Sequence, residues 1–417
     1  MVFDVDLPRV ARIRQRFPAE HITDVRAAVR EAILGSDARV CVRPGARLAL
    51  TAGSRGITQI PEILAACVAT LRELGAEPFI VPAMGSHGGA TAEGQREVLE
   101  GYGITEERTG APIRATMEVV EVGRTPLGVP VYMDRNAFEA DGVVVCGRVK
   151  AHTAFKAPIE SGLCKMLAVG LGKQRGAETM HNAGLATTIP EAARVSIAAG
   201  KVSLGLAIVE NAADEPFHVR AVAPEQFHAA DEELLRLSNG LLPRIPFEQL
   251  DVLVVDWIGK NISGSGMDPN VIGMWRRLGG ERKPDYRRIV VRDVTPESHG
   301  NALGVGWADF TTRRLVEQID YQAMLMNSVT ANAPDVARVP LALPADREAI
   351  QVAIKTSAAT GPVRLARVHS TLRLEELYVS EALLDEVRAN PQLEVLEDPA
   401  PLAFDGSGGL GPQFVVK

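Results

Sequence analysis

A chain of 417 residues is longer than one ordinary hydrophobic core supports, so two domains are expected. With 46% hydrophobic and 23% charged residues and a formal net charge of −7, the composition is that of a soluble globular protein, without the basic face that nucleic acid requires. The four cysteines, Cys41, Cys67, Cys146 and Cys164, form no CxxC pair, which argues against a disulfide framework, a zinc knuckle or an iron–sulfur cluster.

The opening MVFDVDLPRV has neither the basic nor the apolar region of a secretory signal, and no stretch reaches the length of a membrane span. A cytoplasmic enzyme is the expectation. Residues 23–35 predict a helix with Val25, Val29 and Ile33 on one face and Gly35 as its stop. Residues 47–51 predict a buried strand running into Ala52-Gly53-Ser54-Arg55-Gly56. An amphipathic segment from Pro61 to about Leu74, closed by Gly75, leads to a short strand at 78–82 and the loop 83–89, which contains GSHGG. A helix at 91–99, a strand at 141–146, a helix at 189–199 and a strand at 202–209 continue the pattern. Strand, glycine loop and helix in succession predict an α/β fold with parallel-rich, Rossmann-like sheets. Ligands in such sheets sit outside the carboxyl ends of the strands, so the loops at 52–56, 85–89 and 147–156 are expected to share one site.

The turn-rich segment 238–247 suggests a domain join, giving an N-terminal cofactor-binding domain at 1–246 and a C-terminal α/β domain at 247–417. The second domain has predicted strands at 250–256 and 288–292, helical segments around 312–332 and 345–358, a strand at 365–369, a helix from Ser380 and a strand at 393–396. Cofactor and substrate are expected in the cleft between the two domains, with the second closing over the site.

The chemistry concentrates in residues 148–182, which lack helical or strand rhythm and read as a loop-rich site. Lys165, in GLCK, is flanked by Leu163, Cys164, Met166 and Leu167, a setting that partly desolvates an amine and suits covalent attachment. The competing reading is a lysine whose stem lies along an amphipathic helix. His181, sixteen positions further on, offers an imidazole to a borderline metal, or simply ends a helix. The GLGKQRG segment at 170–176 is a weak signal for NAD, because no clean strand precedes it and no acidic residue is placed for a ribose. Ser54 and Arg55 lie where backbone N–H groups could cradle phosphate or a guanidinium clamp a carboxylate, with a solvated loop arginine the competing reading; Lys260 and Asn261 in GKNISGSG could anchor an anionic substrate or form a tight turn. Of the other histidines, His21, His218 and His228 read as surface residues and His299 and His369 as structural ones; Trp275-Arg276-Arg277 reads as a solvated basic turn, with a wall of the substrate pocket as the alternative.

Taken together these motifs resemble the nickel-pincer-dependent lactate racemase family, whose members racemise or epimerise 2-hydroxy acids. The resemblance is densest at 51–61, 82–90, 147–184 and 250–275. The family's Asp-Gly-Thr/Ser-Arg loop appears as Ala52-Gly53-Ser54-Arg55, its G-[ST]-H loop as Gly85-Ser86-His87, and its second histidine as His152. Its glycine-glycine-x-lysine segment appears as Gly162-Leu163-Cys164-Lys165, and its nickel-ligating histidine matches His181. Ala52, Leu163 and Val169 depart from the family's acid, second glycine and proline.

The resemblance implies nickel and a pyridinium-3,5-bisthiocarboxylic acid mononucleotide, the nickel-pincer nucleotide, attached through Lys165, with Gly53, Ser54 and Arg55 as further cofactor contacts. It implies His87 and His152 as acid–base groups on opposite faces of the substrate, Arg55 on its carboxylate, and Lys260 closing over it. The partners implied are a small 2-hydroxy acid such as lactate, malate, an aryl hydroxy acid or a sugar acid, and the proteins that make and load the cofactor. A homo-oligomer is left open. A dicarboxylic substrate would call on another cation among Arg148, Lys150, Lys156, Arg276 and Arg277. The alternatives are an NAD-dependent hydroxy-acid dehydrogenase, marked by nicotinamide absorbance on turnover, and a non-catalytic binder tolerant of losing either histidine.

Overall fold

Alternating strands, glycine loops and helices fold here as parallel β-structure. The computed structural model describes residues 5–54, 56–330, 332–411 and 414. The chain divides into one unit of Pro18–Leu242 and another of Met1–Phe17 with Pro243–Lys417. The expected join near 246 therefore lies a few residues earlier, and the N-terminal segment groups with the C-terminal part. The reason is the first strand, β1 (Arg9–Gln15), which pairs antiparallel with Glu376–Ser380 in the register Val10 to Ser380. Its buried Ala11 and Ile13 join the C-terminal core.

The unit Pro18–Leu242 contains β2 (Arg47–Ala52), β3 (Glu77–Pro82), β4 (Val119–Arg124), β5 (Pro130–Asp134), β6 (Gly142–Arg148), β7 (Val202–Glu210) and β8 (Pro216–Val222). Its main sheet runs β3-β2-β6-β7-β8, parallel except for β8, and β4 and β5 form a separate hairpin. Period-two alternation sends Leu48, Leu50, Val144, Cys146, Leu204 and Leu206 into one core layer and Ala49, Val143, Val145, Ala207 and Val209 into the other. Both faces are covered, so these strands read as continuous apolar runs. The first layer packs on the helices Val25–Gly35 and Ile60–Glu73, and the second on Leu185–Ala198 and Phe227–Leu241. The first helix starts where the Asp24 side chain accepts the Ala27 N–H, and the second is followed by Gly75 at φ +87°.

In the other unit, β9 (Gln249–Ile258), β10 (Asp285–Val294), β11 (Phe310–Thr312), β12 (Leu341–Leu343), β13 (Leu365–Val368), β14 (Glu376–Ser380) and β15 (Leu393–Val395) follow. They order as β12-β11-β10-β9-β13-β14-β1-β15, parallel from β12 to β13 and antiparallel beyond. The helix expected across 312–332 is split into Arg313–Glu317 and Tyr321–Thr330. Thr312 caps the first through Leu315 N–H, and Asp320 restarts the second by accepting the Ala323 N–H. Among the described residues no helix is long and apolar enough to cross a membrane.

Candidate active site

Three loops at the carboxyl ends of parallel strands meet the segment that carries Lys165. A β-carbon on Gly53, after β2, would sit 3.6 Å from Met166 Cε, and one on Gly147, near the end of β6, 2.8 Å from Met166 Cγ. After β3, Gly85 N–H donates to Gly170 O at 3.2 Å, and Gly170 approaches so closely that a β-carbon there would stand 2.7 Å from Ala83 O. The convergence expected of the loops at 52–56, 85–89 and 147–156 is thus present.

The second half of the central stretch is helical rather than loop-rich: Leu163–Lys165, a π-turn at Met166–Gly170, then Lys173–Ala183. Its glycines stand where backbones approach, not where a loop turns; a β-carbon on Gly172 would lie 2.8 Å from Gly176 Cα. Residues 170–176 accordingly form no strand-to-helix dinucleotide loop. π-Turns of this kind are frequent at functional sites.

Lys165 is half-buried, with Nζ donating to Ser161 Oγ at 3.4 Å, while its neighbours Leu163, Cys164 and Leu167 are fully buried. His181 lies at the end of the following helix, with part of its ring open to solvent. The protein around the ring, and secondarily the positive charge of Lys165, hold its pKa below the ordinary 6.5. His181 thus stays neutral to a lower pH than a free histidine. In the unloaded protein its NMR titration midpoint should fall below 6.5, and Lys165→Met should raise it part of the way, because burial is the larger cause. A midpoint unmoved by that change would separate the two residues.

The backbone partners of the other two histidines fix their tautomers. His87 Nδ1 lies 2.7 Å from Met84 O, which only accepts, so Nδ1 carries the proton and Nε2 of the neutral ring is basic. His152 Nδ1 accepts the Ala154 N–H at 3.0 Å, so its proton is on Nε2. Neutral His87 presents an unprotonated Nε2 and can act as a base, whereas neutral His152 presents Nε2–H as a hydrogen-bond donor and becomes an acid only as imidazolium. His152 also stacks on Phe155, ring centroids 4.6 Å apart. Its loop is pinned at both ends by the Lys150–Ser161 bridge and organised inside by Glu160, which accepts His152 N–H at 2.5 Å and Ala157 N–H at 3.3 Å and pairs with Lys156 at 3.3 Å.

The loop carrying His87 is held by a residue that sequence reasoning passed over. Lys173 is fully buried, donates to Pro82 O and to Gln95 Oε1 at 2.9 Å, and pairs with buried Asp134 at 3.0 Å. Gln95 Nε2 in turn donates to Gly85 O at 2.8 Å and to His87 O at 3.3 Å. Burial pushes the ammonium down and the carboxyl up, and each partner opposes the shift of the other. Lys173→Met should destabilise the protein by about 3–5 kcal/mol in denaturant unfolding, since it leaves a carboxylate buried without its cation. A loss under about 1 kcal/mol would mean water or another donor replaces it.

Several cations left open by the sequence are engaged within their own units. Arg148 pairs with buried Glu210, which also accepts Thr58 N–H at 2.8 Å and so ties the loop after β2 to the ends of β6 and β7. Arg276 pairs with Asp309 at 3.2 Å and donates to the carbonyls of Trp307 and Tyr286; Arg277 lies over the Trp307 ring. Burial lowers both guanidinium pKa values, so this is not the solvated basic turn expected. Gly53 and Ser54 are partly exposed, with Ser54 O accepting from the Tyr102 hydroxyl at 2.9 Å. Arg55 lies outside the described residues. Lys260 and Asn261 belong to the other unit, where Lys260 Nζ donates to Gly264 O at 2.7 Å and Asn261 Oδ1 accepts from Thr295 at 2.7 Å.

Residues 7–191 match the family model described as lactate racemase N-terminal domain. Among solved structures, the lactate racemase apoprotein from Thermoanaerobacterium thermosaccharolyticum is similar at 12% identity, with 82% of this chain and 81% of that chain covered and a TM-score of 0.49. No curated protein matches the chain.

Proposed function

We propose that this chain, whose residues 7–191 match the lactate racemase N-terminal domain, racemises or epimerises a 2-hydroxy acid with a nickel-pincer nucleotide held by Lys165 and His181. The observation that carries this reading is the convergence of the loops after three parallel strands on the segment of Lys165, a half-buried primary amine whose charge helps to lower the pKa of His181. A primary amine is what a covalent thioamide link consumes, and only a neutral imidazole nitrogen ligates a metal. Among the described residues no three His, Cys, Asp or Glu side chains group as a metal site; a metal held at His181 would need further donors from the bound nucleotide. The residues fit the group.

When bound, the cofactor supplies a reversible acceptor for the hydrogen on the substrate Cα, taken as hydride. The chain handles the protons. His87 Nε2 takes the hydroxyl proton, which makes loss of hydride from Cα feasible, and His152, as imidazolium, returns a proton to the oxygen from the opposite face and is left neutral. Gly53 and Ser54 offer backbone N–H groups to the nucleotide phosphate, and Arg55 takes the substrate carboxylate. The four unpaired thiols suit the reducing cytoplasm.

The test is chiral analysis. Protein produced alongside the enzymes that make the pincer should convert single enantiomers of lactate, malate or a related hydroxy acid into the antipode or epimer, with no net keto acid and no nicotinamide absorbance. Reduced nicotinamide formed in step with keto acid would return the dehydrogenase reading. Binding without conversion, unaffected by loss of His87 or His152, would return the binder.

A further inference from the structure

We infer that Asp231 is a positioning residue for Lys165. It lies on the helix Phe227–Leu241, is 1% exposed, and accepts Leu163 N–H through Oδ1 at 2.9 Å and Cys164 N–H through Oδ2 at 2.8 Å. Both carboxylate oxygens therefore grip the two residues immediately before Lys165. A helical turn normally takes its cap from the residue at its own start. Here that residue is Gly162, which has no side chain, and the cap arrives from 68 residues further along the chain.

The glycine and the aspartate require one another. A β-carbon on Gly162 would stand 2.3 Å from Asp231 Oδ1 and 2.6 Å from Cγ. Gly162 has φ 169°, extended backbone that any residue adopts, so the absent side chain answers to the carboxylate and not to the conformation. Gly205 on β7 completes the floor: a β-carbon there would be 2.6 Å from Leu163 Cδ1 and 2.7 Å from Phe227 Cε1. Burying a carboxylate is expensive unless it is fully hydrogen-bonded. A buried carboxylate spent on two adjacent amides fixes a turn in position and direction, and the side chain that leaves this turn is the lysine.

This inference rests on the reading of Lys165 as the attachment site, but its test does not. The full-length unloaded protein is compared with Asp231→Asn, which loses one acceptor, and Gly162→Ala, which keeps the charge and displaces it. In both variants the Leu163 and Cys164 amides should exchange at least ~10-fold faster, as expected for losing a charge-assisted hydrogen bond. Lys165 should be acetylated several-fold faster relative to the exposed Lys283, read from peptide masses. A variant that melts earlier while both readouts stay within twofold would reduce Asp231 to ordinary support and overturn the inference. Should neither variant fold, the unmodified protein decides: the inference requires the Leu163 and Cys164 amides to be protected, and exchange as fast as that of the exposed residues 280–282 overturns it. Absence of an adduct on Lys165 of unmodified protein made with the pincer enzymes would remove the attachment reading while leaving these readouts intact.

Discussion

Lys165→Arg, produced beside the pincer-making enzymes, should carry no covalent nucleotide, no nickel above background and no racemase activity, while folding normally. Guanidinium remains protonated and delocalised at any working pH, so it neither attacks a carboxyl group nor forms the thioamide. The next lysine along the helical segment cannot stand in. Lys173, eight positions on, is fully buried and committed to Asp134, Gln95 and Pro82. His181→Ala makes the complementary case: nickel should be lost while the organic adduct remains on Lys165, because attachment needs the amine and not the imidazole. The mass of the Lys165 peptide and metal analysis of the intact protein read both. A nucleotide still covalently attached to Lys165→Arg, or full nickel in His181→Ala, would remove the residue concerned from its role.

These assignments were accessible from sequence because they sit in short, local patterns. Strands β2, β3, β6 and β7 announce themselves as apolar runs, and GSH and GLCK are contiguous motifs. What escaped depends on partners distant in the chain. β1 finds β14 only by closing the whole chain, and Asp231 meets Leu163 across 68 positions. Lys173 was hidden differently. A lysine among glycines suggests an exposed loop, since lysines are almost never fully buried unless paired. Only the arrival of Asp134 from β5 and Gln95 from the helix Ala92–Gly101 makes its burial affordable. The hairpin of β4 and β5 was missed for want of alternation: its first strand is half-buried on both faces, with a bulge between Glu121 and Gly123. Arg276 shows the same limit, since neither its burial nor its pairing with Asp309 leaves a local trace.

The two histidines lend themselves to a substitution that separates chemistry from support. Asparagine places an amide where each ring has Nδ1: its N–H₂ can donate to Met84 O at position 87, and its oxygen can accept Ala154 N–H at position 152. The backbone anchors survive and only Nε2 is removed. In either direction of a racemisation one histidine is base and the other acid, so His87→Asn and His152→Asn should each lower kcat about 10²- to 10⁴-fold for both enantiomers, with substrate KM little changed. The resting protein should show the asymmetry directly. Nitrogen-15 shifts of neutral His87 should report Nδ1–H, and those of neutral His152 should report Nε2–H. Proton balance requires one ring neutral at Nε2 and the other an imidazolium at the start of each cycle, with the roles exchanged at its end. A single variant that retains full activity toward one enantiomer would sink the two-histidine scheme. Identical tautomers in the resting protein would leave the pair in place but remove the preset direction that their backbone partners impose.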